Sequence, residues 1–196
     1  MGRGRPGRSL QTVISDKYLS VGVTSVSGSL TSIKAGDRKY LWQPDPAVWT
    51  GQAPICFPVC GGLRDSRAVT ESGKKVELAR HGFARKMEFE LLGCRAATPR
   101  WGFVSGEVTR AQYPFDLELM ARYELEEPDG HGVRIEFPDF DYLIVWSKPA
   151  GDFVALEPWS GLSICSDEDD AFEHKRGCIV AAPDQTVERS FTIQPF

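Results

Sequence analysis

The chain has 196 residues, a formal net charge of -4 and a mean hydropathy of -0.27. This length allows one domain, or at most two small ones, with enough chain to bury a core. The mildly acidic balance argues weakly against nucleic acid, and no apolar run is long enough to cross a bilayer. Because the N-terminus lacks the apolar stretch of a signal peptide, we expect a cytoplasmic protein without a membrane or nucleic-acid partner.

The first residues form a short basic segment. Arg3, Arg5 and Arg8 stand among glycines and a proline, and no side chain there is suited to burial. Such composition predicts a flexible tail over residues 1–10, which leaves residues 11–196 for a single folded domain.

Alternation of apolar and polar residues dominates the rest of the chain, and this period is typical of half-buried strands. Nineteen glycines and thirteen prolines separate the alternating runs at short intervals, which favours an all-β sandwich or barrel. The predicted strands lie in Asp16 to Ser25, in Leu30 to Trp42 with a turn at Gly36-Asp37, in Phe115 to Glu126, around Val133, Ile135 and Phe137, and around Val187, Phe191 and Ile193.

A helix competes with strands only between Lys74 and Leu92. Gly82 lies in the middle of this densely charged run, so we favour two strands around a loop that carries His81. Histidine can exchange a proton near neutral pH, which makes His81 a candidate for acid–base chemistry. The alternative for His81 is a packed, hydrogen-bonded structural side chain.

Glu157 follows the alternating run Phe153-Val154-Ala155-Leu156 and precedes Pro158-Trp159. It therefore shares a strand face with Phe153 and Ala155. A poorly solvated carboxylate beside an indole is suited to act as a general base. The alternative is a strand-end glutamate exposed to water.

Five tryptophans in so small a chain also favour a sugar ligand, because the C–H faces of sugars pack on aromatic rings. The five cysteines have scattered spacing, so we expect reduced and mostly buried thiols without a disulfide framework or a zinc site. The acidic run at residues 167–170 lacks the spacing and glycine of a calcium loop, and a solvated loop is the simpler interpretation.

Several sequence blocks, taken in order, resemble the aldose 1-epimerase (galactose mutarotase) family, and most closely its small bacterial mutarotase-like branch. These blocks are Leu41-Trp42-Gln43 with Asp45-Pro46 and Trp49; Phe57-Pro58 with Gly61; His81-Gly82-Phe83-Ala84-Arg85; Ala111-Gln112-Tyr113-Pro114-Phe115; Trp146-Ser147-Lys148-Pro149; and Phe153 through Glu157-Pro158-Trp159-Ser160-Gly161.

The resemblance implies an antiparallel β-sandwich, the galactose mutarotase-like supersandwich, and an isomerase of carbohydrate metabolism that interconverts the α and β anomers of a free hexose. Glu157 matches the general base, and His81 matches a histidine that polarises the substrate. Arg64, Trp159, Phe83 and Arg85 are the expected substrate-binding residues. No cofactor or metal is required.

The chain also departs from the family pattern. The family's general acid is a second histidine in a Gly-His-Pro context, and this sequence has no His-Pro pair. His131 is a weak substitute, and His174 lies in an acidic loop. The step from Glu126 to Val133 resembles an internal deletion, with a junction near residues 127–132, that truncates the central strands. Gly62 stands where many members carry an arginine, and Arg64 would reach the same face of a regular strand.

Three functions follow from these observations. The chain is an aldose 1-epimerase whose activity is impaired by loss of the second histidine, or it is a non-catalytic carbohydrate-binding protein of the same fold. The third alternative is a chain whose strands pair with a partner or with a second copy to rebuild the sandwich, and pairing with a second copy would make it a homo-oligomer.

Overall fold

The computed structural model describes residues 9–95, 98–125 and 132–195, and it confirms the expected all-β class. A four-stranded sheet opens the chain in the order β1-β2-β3-β4, formed by β1 (Gln11–Ser15), β2 (Leu19–Thr24), β3 (Leu30–Ala35) and β4 (Arg38–Lys39). All its neighbours are antiparallel, and the turn between β3 and β4 lies at Gly36-Asp37, as the sequence predicts.

The region around His81 has the predicted pattern of strands on either side of a loop. A short hairpin pairs β5 (Arg67–Val69) with β6 (Lys75–Glu77), and a three-stranded antiparallel sheet follows with β7 (Glu90–Arg95), β8 (Thr98–Val104) and β9 (Glu118–Arg122). The strand β9 covers only the middle of the strand predicted over Phe115 to Glu126. A four-residue helix, α1 (Glu107–Arg110), lies between β8 and β9.

Two further antiparallel pairs complete the described chain. The first pairs β10 (Val133–Glu136) with β13 (Thr192–Pro195), and the second is a hairpin of β11 (Tyr142–Trp146) and β12 (Ala155–Trp159). Residues 1–8 of the tail predicted over 1–10, and most of the expected junction near residues 127–132, lie outside the described residues. Within those residues, no helix is both long and apolar enough to cross a membrane.

The core lies where the first sheet meets the β7–β9 sheet and the β5–β6 hairpin. Val23 and Val76 are completely buried, and Phe89 contacts Phe103 with ring centroids 5.0 Å apart. Alternation explains this placement, since every second residue of β2 and β8 points inward. The core thus supports the loop of His81, which runs directly into its buried residues Phe83 and Ala84.

Candidate active site

The loop that carries His81 makes an unusually tight turn. His81 and Gly82 both have left-handed backbone conformations, with φ of 67° and 68°. Gly82 forms an isolated β-bridge with Phe57. A Cβ atom at Gly82 would lie 2.2 Å from the carbonyl oxygen of Phe57, so only glycine fits at this position. The left-handed conformation of a non-glycine residue costs on the order of 1 kcal/mol, and strained residues of this kind cluster at active sites and ligand clamps.

Two hydrogen bonds to Gly61 fix the orientation of His81. The His81 backbone N–H donates to the Gly61 carbonyl oxygen at 2.7 Å, and the Gly61 N–H donates to Nδ1 of the imidazole at 3.1 Å. Because Nδ1 accepts a hydrogen bond, the neutral ring carries its proton on Nε2. His81 therefore presents an N–H donor on the side away from Gly61.

Burial lowers the pKa of His81 below its ordinary value, and the charges of Arg80 and Arg85 lower it further, while Glu157 opposes the shift. The imidazole is consequently neutral at pH 7. In this form His81 donates a hydrogen bond without releasing a proton. Arg85 thus acts on the imidazole through its charge, although its side chain is exposed.

Glu157 lies on β12, on the strand that the sequence predicts. It pairs with Ile144 of β11, so Trp146 and Trp159 are its neighbours on the same face of the hairpin. The Trp146 indole N–H donates to Oε1 of Glu157, and the Trp159 indole N–H donates to Oε2 at 3.0 Å. The half-buried carboxylate is thus held at both oxygens.

Trp159 connects the two candidate catalytic residues. Its indole lies 5.6 Å from the His81 ring between centroids, at an interplanar angle of 76°. The same indole donates its N–H to Glu157. Only 8% of Trp159 is exposed, so little of its surface remains for stacking on a sugar. Its observed contacts support the orientation of His81 and Glu157.

Two thiols, Cys56 and Cys60, interact electrostatically with Glu157, and nothing in the residue spacing predicts this interaction. Burial raises the pKa of Cys56 to about 11 and that of Cys60 to about 12, and the Glu157 carboxylate contributes to both shifts. Both thiols are therefore protonated at neutral pH and are poor nucleophiles. All five cysteines are free, but four are only half-buried and Cys94 is exposed, so the expectation of mostly buried thiols was too strong.

The observed contacts of two other predicted binding residues, Phe83 and Arg64, are with residues other than Glu157. Phe83 is 5% exposed and packs in the core, with its ring centroid 6.1 Å from Phe57 and 6.2 Å from Phe103. Arg64 begins a 3-10 turn (Arg64–Ser66), so the regular strand assumed at this position is absent. Its guanidinium forms a 2.8 Å ion pair with Asp170.

The structure gives His81 no second histidine as a partner among its described residues. His174 is exposed, with Nδ1 2.8 Å from Asp169 and Nε2 3.1 Å from Glu71, and His131 lies outside the described residues. The described parts of the chain also contain no cluster of three or more His, Cys, Asp or Glu side chains that could hold a metal ion.

Comparison with known proteins agrees with the family resemblance of the sequence blocks. The aldose 1-epimerase family model matches residues 9–138, a range that includes His81 and ends before Glu157. Protein LacX (plasmid) of Lactococcus lactis subsp. lactis is 36% identical over 129 residues, which cover 63% of this chain and 42% of LacX. The matched region thus spans less than half of that relative.

Solved structures show the same fold. A galactose mutarotase related enzyme from Lactobacillus acidophilus superposes with a TM-score of 0.82 at 18% identity, covering 95% of this chain and 97% of that one. A galactose mutarotase-like protein from Lactobacillus casei gives a TM-score of 0.58 at 20% identity, over 70% of this chain and 47% of the other. The family model covers well over half of the sequence, and the chain therefore belongs to the aldose 1-epimerase family.

Proposed function

We propose that the chain is an aldose 1-epimerase in which Glu157 is the general base and His81 polarises the sugar. The observation that supports the proposal is that Trp159 contacts both residues: it donates to the Glu157 carboxylate and lies edge-on to the His81 ring. Family membership supports sugar chemistry. The substrate that we propose is a free hexose.

The reaction needs only proton transfers. Glu157 removes the proton from the anomeric hydroxyl O1, the O1–H electron pair forms the C1 carbonyl bond, and the bond between C1 and the ring oxygen breaks. The ring oxygen takes a proton as the ring opens. Rotation about C1–C2 exposes the other face of the aldehyde, and the reverse transfers close the ring with the opposite configuration at C1.

The protonation state of His81 defines its part in this reaction. A neutral imidazole donates a hydrogen bond through Nε2 and stabilises charge developing on a sugar oxygen. It is a poor proton donor, since release would leave an imidazolate. A water molecule then supplies the proton for the ring oxygen, and the hydroxide that it leaves takes this proton back when the ring closes. Loss of a positioned general acid typically lowers a rate by about 10²–10⁴, so we expect slow turnover compared with enzymes that have both groups.

Polarimetry with fresh α-glucose or α-galactose tests the proposal. After the uncatalysed rate is subtracted, the wild type should accelerate mutarotation and Glu157→Gln should not. Glu90→Gln is the matched control, because Glu90 is an exposed glutamate on β7. Equal acceleration by the wild type and Glu157→Gln would exclude Glu157 as the base. Sugar binding without acceleration would instead favour the carbohydrate-binding alternative.

A further inference from the structure

Indole N–H groups from two different strands occupy both oxygens of the Glu157 carboxylate. Trp146 ends β11 and is the diagonal cross-strand neighbour of Glu157. Trp159 ends β12, two residues after Glu157, and all three side chains lie on one face of the hairpin. A glutamate side chain is flexible, and holding it in one orientation has an entropic cost. Two fixed donors remove most of that freedom before a substrate arrives.

Trp146 is itself held in a group of aromatic rings, here called the aromatic cluster, made of Trp42, Trp49, Trp146 and Phe153. The Trp146 ring lies 5.0 Å from Trp49 at 81° and 5.5 Å from Phe153 at 90°. Trp49 stacks on Phe153 at 5.4 Å and 22°, and the Trp42 indole N–H donates to the Trp49 carbonyl oxygen at 3.0 Å. Edge-to-face contacts of this kind fix ring orientation. The cluster joins the segment before β5 to the β11–β12 hairpin.

We propose that Trp146 is a positioning residue for the general base, and that the aromatic cluster orients the Trp146 ring so that its N–H donates to Glu157. This inference rests on the proposed function. An indole N–H can only donate, so both contacts require oxygens that accept, which an ionised carboxylate offers at both positions. Each oxygen keeps a second lone pair, and one of these takes the O1 proton of the sugar.

The first arm of the test compares two substitutions that remove the same atoms. Trp146→Phe deletes the donor to Glu157, whereas Trp49→Phe makes the same truncation in a ring that contacts Trp146 without donating to Glu157. A charge-assisted hydrogen bond is strong, so kcat should fall roughly 10-fold or more in Trp146→Phe, with sugar affinity unchanged. Trp49→Phe keeps an aromatic ring beside Trp146 and leaves the donor to Glu157 in place, so its kcat should fall clearly less. Equal losses of kcat, or wild-type kcat in Trp146→Phe, would overturn the inference.

The second arm does not depend on activity. In the ¹H–¹⁵N spectrum each of the five tryptophans contributes one indole signal, and single Trp→Phe variants assign these signals. Glu157→Gln should move the Trp146 and Trp159 signals upfield and leave that of Trp42, which donates to a backbone carbonyl, in place. An unmoved Trp146 signal would contradict the contact.

The two arms separate the two ideas. A wild type without Glu157-dependent mutarotation, but with the expected indole shifts, would overturn the proposed function and the catalytic part of this inference together. An active wild type whose kcat survives Trp146→Phe would overturn this inference alone.

Discussion

His81 contacts Trp159 edge-on, with their ring centroids 5.6 Å apart, although the two residues come from a left-handed loop and from the end of a distant hairpin. The contact brings the loop, anchored on Gly61, against the strand that carries Glu157. The site therefore depends on two local structures, the strained turn at His81 and the face of the β11–β12 hairpin. Each can be tested by itself.

The two described histidines should titrate on opposite sides of their ordinary pKa near 6.5. Burial and nearby arginines lower the pKa of His81, whereas hydrogen bonds to Asp169 and Glu71 raise that of His174. A histidine NMR titration, assigned with His81→Gln and His174→Gln, measures both values. We expect His81 to stay neutral to lower pH than His174. The reverse order would contradict the assignment of His81 as a neutral donor.

The same pKa directions set the sign of two contributions to stability. The raised pKa of His174 favours the folded state below pH 6.5, and this contribution is lost as the pH rises through the folded value. The lowered pKa of His81 acts in the opposite direction, because the unfolded chain binds a proton first as the pH falls. His174→Gln should therefore reduce the free energy of unfolding at pH 6 more than at pH 8 in urea titrations. An equal loss at both values would contradict the ion-pair account.

Alternation along the chain was sufficient to predict much of this fold. The turn at Gly36-Asp37, the loop between the strands flanking His81, and the strand of Glu157 all follow from period two and from glycine placement. The contact of Trp146 with Glu157 could not be predicted in the same way. It depends on the register of β11 against β12, which is fixed only when the hairpin and the aromatic cluster form together.

Arg64 and Phe83 show a second limit of sequence reasoning. The face of Arg64 was inferred from a regular strand, but Asp65 and Ser66 have positive φ and the chain turns there. Phe83 follows two left-handed residues, which reverse the chain and direct the ring inward. Side-chain direction in both places depends on local backbone conformation, and residue type alone does not specify it.

Replacement of Gly82 by alanine should disrupt the turn under Phe57. The left-handed φ and the 2.2 Å approach of the added Cβ to the Phe57 oxygen together predict a loss of about 2 kcal/mol or more in the free energy of unfolding. Gly36→Ala is the matched control, because Gly36 has a φ of 56° but no atom within 4 Å of the new Cβ. Its loss should be about 1 kcal/mol. Urea titrations measure both values, and similar losses would show that the close approach has no energetic effect.

Phe83 should contribute to stability through the core. Phe83→Leu keeps most of the apolar volume against Phe57 and Phe103, so we expect a loss of about 1 kcal/mol in the free energy of unfolding and an unchanged KM for sugar. Phe140→Leu is the control, since Phe140 is half-buried and lies outside the core cluster. A clear rise of KM in Phe83→Leu alone would instead support contact of Phe83 with the substrate.

Lys175 should destabilise the folded chain at neutral pH. It is buried, with 8% of the residue exposed, and burial lowers its pKa while Glu168 and Cys60 oppose the shift. As the pH rises, the folded chain thus releases the Lys175 proton before the unfolded chain does. The destabilisation caused by the buried charge is therefore greatest below the folded pKa, and it declines as the pH rises toward 10.5. Lys175→Met keeps the length of the side chain without the charge and should raise the free energy of unfolding at pH 7, with a smaller gain at pH 10. Lys86→Met, at an exposed position, should change little at either pH. Destabilisation by Lys175→Met would mean that the ammonium makes an interaction worth more than the cost of its burial.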